Sequence, residues 1–223
     1  MGDLPAELYT PPDRDVRAAT GRHPRSDAMY TEGEDNREPP AFIDTGHRDF
    51  PWDFETVLGY YDPEKRHITR FSKGITFVAE KLKVSPALVD RIVRYHELAH
   101  AMHHLGVATA DIMPEEATKL LSKNNITYRA APTETKEQIA QLATLVVIRT
   151  RREDVSSTEA RSCIDLMLEA FSSLMRRQSP CYQLPSTMWN AKLSHLGHKL
   201  RLLLDMSDEG MFPSADFIAR IIE

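Results

Sequence analysis

His96, Glu97 and His100 spell HELAH inside the stretch 95–106, YHELAHAMHHLG. Two histidines four residues apart lie one above the other on the same face of a helix, so both imidazoles can hold one metal ion from one direction. Glu97 projects about 100° further round the helix, beside such an ion rather than at it. A carboxylate in that place can take a proton from a water at the metal. The arrangement is the HExxH pattern, two zinc-ligating histidines with a glutamate as general base. A solvated histidine pair on a surface helix would show the same letters. The apolar residues around the pair and the signals that bound its helix favour the metal reading.

A catalytic zinc takes three protein ligands and leaves a position for water, so a third ligand is owed. His103 falls only about 20° from His96 on the helical wheel, but it is a full turn beyond His100 and would strain to reach the same ion. His104 lies further round, and both read as supporting or surface groups. Glu137 is the stronger candidate, at the start of a second helix that could pack across the first. Its alternative role is to favour the positive end of its own helix dipole, and Glu134 competes for both tasks. Ala140, one turn on, would let the two helices approach closely. Gln141, four residues from Glu137, points the same way and could bond the free nitrogen of a ligating histidine, which fixes tautomer and ring orientation.

These side chains need rigid elements to carry them. Ser85 followed by Pro86 suits the cap and first position of a helix. Leu88, Val89, Ile92, Val93, Leu98, Ala99 and Met102 supply its apolar faces, and Gly106 can close it as the residue just past its end. The HELAH segment therefore sits in the C-terminal half of a helix of about 20 residues. Upstream, 57–71 carries β-favouring residues on both sides of Asp62-Pro63-Glu64-Lys65, which reads as a hairpin, followed by a helix over 73–82. Downstream, a loop with Pro114 and Asn124-Asn125 leads to Thr133 as cap of the helix ETKEQIAQLATLVVIRTRR. Further helices are expected from Ser157-Thr158 to before Pro180, over about 186–206, and from 214 to the end.

Residues 1–50 differ in character. They hold six of the 14 prolines and carry 11 acidic against 6 basic residues, which leaves the rest of the chain neutral within the overall net charge of −5. That bias predicts an extended or disordered acidic, proline-rich arm, with the folded domain and its helical extension over 51–223. The arm is either a plain solvated tail or a segment that regulates or covers a site.

Composition excludes several classes. Of 223 residues 41% are hydrophobic, enough for a packed core. An acidic balance argues against a nucleic-acid partner. Cys163 and Cys181 form no metal or redox motif and cannot staple a secreted fold, so a reducing, cytoplasmic location is expected. Neither a signal peptide nor a membrane span is indicated, and no membrane partner is expected.

HELAH followed by Glu137 and the Ala140-Gln141 pair resembles the gluzincin type of zinc metallopeptidase. The short separation of the two helices is similar to the compact members, the minigluzincins and the ImmA/IrrE-like peptidases, across residues 57–145. Tyr60-Tyr61-Asp62-Pro63-Glu64 before the active-site helix looks like bacterial and phage proteins of the same sort. The resemblance implies a zincin-like metallopeptidase fold, mainly α with a small antiparallel β element (α+β). It also implies one Zn2+ per chain on His96, His100 and Glu137, Glu97 as catalytic base, and hydrolysis of peptide bonds in a protein or peptide substrate. Two departures stand out. The larger members carry NExxSD on the second helix, where this chain has Lys136 to Gln141 and an amide in place of the supporting carboxylate. The oxyanion-stabilising Tyr or His is not evident, with Tyr182, His195 and His198 as candidates. A different expectation is a non-catalytic zinc-binding helical module that holds a protein partner. The intact Glu97 speaks against it, since a structural zinc prefers four protein ligands and needs no base.

Overall fold

In the computed structural model, residues 4–24, 30–37, 57–107, 123–178 and 182–212 are described. A 3-10 turn at Ala6–Leu8 precedes helix α1, Pro12–Thr20. Strands β1, His23–Pro24, and β2, Thr31–Asp35, follow, then the hairpin strands β3, Gly59–Asp62, and β4, His67–Phe71. Helices α2, Ser72–Leu82, and α3, Pro86–Leu105, run into β5, Gly106–Val107. Residues 123–130 form α4. Then come α5, Thr133–Asp154, α6, Thr158–Met175, a 3-10 turn at Ser186–Asn190, and α7, Leu193–Asp208. The arrangement is mainly helical with a small sheet, an α+β fold.

The hairpin forms where Asp62 can cap its own turn: its carboxylate accepts from the Glu64 and Lys65 amides at 2.9 and 3.0 Å, and Arg66 takes the left-handed conformation that closes it. The sheet is not purely antiparallel as expected. β2 joins it parallel to β4, so the order is β2-β4-β3 and β4 is the central strand.

α3 is the axis of the molecule. Leu88, Val89, Ile92, Leu98, Ala99 and Met102 are all nearly inaccessible, and α3 packs along α5, with α1, α2 and β3 on its other sides. Pro86 occupies the first helical position and Ser85 the cap, as its sequence predicts, but the Ser85 side chain makes no capping bond; its carbonyl receives the Leu88 and Val89 amides instead. Gly106 ends the helix, as expected. It is extended, with φ −79°, and leads directly into β5. Glycine is required there for close approach, because a Cβ would collide with the Met102 carbonyl and with Arg22.

The expected extended arm does not hold for residues 4–24 and 30–37. Pro12, Val16, Ala19 and Thr20 of α1 are buried, and Leu8 and Val16 belong to the main core. Asp15 anchors the segment: it lies 3.1 Å from Arg91 and accepts the Tyr95 hydroxyl at 2.7 Å. Arg22, 1% exposed, bonds the Gly106 carbonyl at 3.2 Å and both Asp208 oxygens at 3.0 and 2.5 Å. Residues 38–50 lie outside the described residues.

Three other expectations are corrected. The region of Asn124-Asn125 is helical rather than a loop, while Pro114 lies outside the described residues. Pro132, not Thr133, is the cap of α5. The helix expected over 186–206 is divided into the 3-10 turn and α7. Ser157 does cap α6, accepting from the Ala160 amide at 3.2 Å. The expected helix from 214 onward lies outside the described residues.

Candidate metal centre

α3 and α5 bring His96, His100 and Glu137 together. His96 Nε2 lies 3.0 Å from Glu137 Oε2, His100 Nε2 lies 3.4 Å from Glu137 Oε1, and the two Nε2 atoms are 3.2 Å apart. A tetrahedral ion with bonds of about 2.0–2.1 Å separates neighbouring ligand atoms by about 3.3–3.4 Å. The two imidazole nitrogens stand close to that separation, Glu137 turns a different carboxylate oxygen to each of them, and one ligand atom from each residue lies within 4.8 Å of the others, so the three residues could hold a metal ion. Charge agrees with geometry. Burial alone would raise Glu137, but His100 and His96 hold its carboxyl far below the usual range. Burial alone would lower His96, and the Glu137 carboxylate lifts it. Ala140, one turn on from Glu137 and 1% exposed, is a small buried residue of α5, which packs along α3. Glu134 is not part of the cluster.

Glu97 stands beside the three, 5% exposed. Burial pushes its carboxyl up, and the two imidazoles pull in the opposite direction. The Tyr61 backbone amide donates to it. Strand geometry explains why that amide is available. The Phe71 amide bonds the Leu58 carbonyl at 2.9 Å, so with the observed register Leu58, Tyr60 and Asp62 face β4, and the backbone groups of Gly59 and Tyr61 point to the edge that no strand pairs among the described residues.

The other histidines of the segment are buried, not surface groups, and neither joins the donors. His103 Nε2 meets Ser207 Oγ at 2.7 Å. His104 Nδ1 meets the Tyr61 hydroxyl at 2.8 Å and its Nε2 meets Asn125 Oδ1 at 2.7 Å. Gln141 does not orient a ligand: its Nε2 donates to Gln178 Oε1, and its own Oε1 has no hydrogen-bond partner among the described residues. The group at a ligand's free nitrogen is Tyr128, whose hydroxyl lies 3.1 Å from His100 Nδ1. Its signal was present in the spacing of Asn124, Tyr128 and Ala131, one buried helical face, hidden by the loop character of the two asparagines.

A cavity of about 470 Å³ opens onto the centre. His96, Glu97, His100 and Glu137 line one part, Val78, Ile92, Val93, Phe171 and Met175 an apolar part, and Lys136, Arg177 and Tyr182 contribute polar groups. Of the three oxyanion candidates only Tyr182 borders this cavity. His195 and His198 are exposed on α7. No described helix is long and apolar enough to cross a membrane.

Comparison with protein-family models, with curated proteins and with solved structures finds no match for this chain.

Proposed function

We propose that the chain is a zinc-dependent metallopeptidase of the gluzincin type, with His96, His100 and Glu137 as ligands and Glu97 as general base. The observation that carries this reading is the meeting of His96, His100 and Glu137, with imidazole nitrogens 3.2 Å apart and a Glu137 oxygen 3.0 and 3.4 Å from each, beside the buried carboxylate of Glu97. A structural zinc prefers a closed set of four ligands. Here three candidate ligands and a carboxylate base line one cavity, which disfavours the non-catalytic module.

Zinc bound there supplies Lewis acidity, polarising a carbonyl and lowering the pKa of water to about 7. The protein's own groups do the rest. Glu97 takes the proton of the attacking water and returns it to the leaving amine. The Tyr61 amide orients the Glu97 carboxylate. The free edge of β3, at Gly59, offers main-chain groups to an extended peptide, which would add as a further strand. β4 cannot serve that purpose, because both its edges are occupied.

The test is metal content by elemental analysis, followed by hydrolysis of denatured proteins before and after chelation and zinc return. Zinc with chelator-sensitive cleavage is the expected result. Zinc without cleavage favours a partner-binding module, and no bound metal contradicts both readings.

A further inference from the structure

We propose that Tyr128 is the positioning residue of the metal centre: its hydroxyl receives His100 Nδ1–H and so holds the Nε2 lone pair toward His96 and Glu137. The inference rests on the metal reading above and adds a residue that the HExxH pattern does not contain.

A neutral imidazole carries one N–H. If Nε2 is a ligand, the proton sits on Nδ1 and needs an acceptor. Among the described residues the oxygen found there is Tyr128 Oη, at 3.1 Å, and the phenol is 5% exposed.

The ring is held on several sides, so its hydroxyl has little freedom. It stacks on His104, with centroids 4.9 Å apart and planes 25° apart, and His103 meets it edge-on at 5.0 Å. Tyr61 approaches edge-on at 6.3 Å, and the Lys136 ammonium lies 5.3 Å from the centroid. His104, the stacking partner, has its own tautomer fixed without any metal. Arg129 Nε donates to Asn125 Oδ1 at 2.9 Å. Arginine only donates, so that oxygen is an acceptor. His104 Nε2 must then donate to it at 2.7 Å, and His104 Nδ1 accepts the Tyr61 hydroxyl at 2.8 Å. A neutral, fully bonded imidazole thus forms the plate on which Tyr128 rests. The aromatic clamp sets the hydroxyl before the ion arrives, which is how an outer group raises the affinity of a ligand it touches.

The test is Zn2+ affinity of Tyr128→Phe, measured by competition with a chromogenic chelator, beside Tyr95→Phe as control. Tyr95 is also buried and loses bonds to Asp15 and Arg91 on removal of its hydroxyl, and neither partner is one of the three ligands. Tyr128→Phe should bind zinc roughly 10–100-fold more weakly, and Tyr95→Phe should bind as wild type. Nitrogen-15 NMR of the zinc-loaded wild type should show His100 with its proton on Nδ1, and Tyr128→Phe should lose the protection of that proton from exchange. Unchanged affinity in Tyr128→Phe, or an equal loss in both variants, overturns the assignment while leaving the metal reading intact. A wild type that binds no zinc overturns the metal reading and the assignment together.

Discussion

Glu137 and Glu134 are one turn apart on α5, and only Glu137 reaches the imidazoles. Removing its charge while keeping its shape isolates the ligand role. Glu137→Gln should weaken zinc binding at least tenfold, roughly the scale of an altered ligand shell, while Glu134→Gln should bind as wild type. Titration of both variants against a competing chelator decides; the reverse order would assign the third ligand to Glu134. At this scale the sequence was informative for first contacts. The spacing of His96 and His100, and the small Ala140 beside Glu137, follow from helical periodicity alone. It was misleading for support. Gln141 has the right face of α5, but Gln178, contributed from beyond α6, captures its amide. Such a contact depends on tertiary packing between distant segments and leaves no local pattern.

The elements were legible where a local rule dominates. Asp62 at a turn, Pro86 at the start of a helix and Ser157 at a cap each act within a few residues. β2 escaped because TEGED, Thr31 to Asp35, carries no apolar alternation; it is recruited by β4, not by its own pattern. α1 escaped because its buried positions 12, 16, 19 and 20 include only two plainly apolar side chains apart from proline. The crossing of β3 and α3 gives an element-scale expectation. A Cβ at Gly59 would stand 2.7 Å from Val93 Cγ1 and 3.2 Å from Glu97 Cγ. Gly59→Ala must push the strand from the helix or turn Glu97 aside. Overpacking of this kind costs about 1–3 kcal/mol. The variant should keep its zinc, lose about that much stability in urea, and cleave peptide at least tenfold more slowly. Wild-type turnover in a zinc-loaded Gly59→Ala protein would show that the β3–α3 contact does not set the base.

Across the whole molecule, the buried imidazoles behind the centre tie stability to acidity. Burial drives His104 down to about 4 from the usual 6.5, and His103 well below its usual range. The unfolded chain therefore takes up protons that the native chain refuses as pH falls from about 6.5 toward 4. Stability contributed by the neutral form is fully present above that window and lost on the way down through it. Glu137, held low by its imidazoles, works in the same sense only below the ordinary carboxylate range. His96 is shifted up and works in the opposite sense, losing its contribution as pH rises. His104→Gln isolates one term, since glutamine can still accept from Tyr61 and donate to Asn125. In urea titrations of metal-free protein, wild type should lose more stability than His104→Gln between pH 6.5 and 4.5. Parallel curves would mean that His104 is not held neutral.

Under the proposed mechanism Glu97 handles the proton of the attacking water and is not a ligand. Glu97→Gln preserves size and hydrogen-bonding shape but removes the base. Metal content and turnover of a quenched peptide, measured on one sample, test it directly. Zinc occupancy should match wild type while hydrolysis falls by at least about a hundredfold, the scale of general-base loss. Zinc lost together with activity would make Glu97 a ligand or a structural group, and activity surviving with zinc in place would contradict the peptidase mechanism.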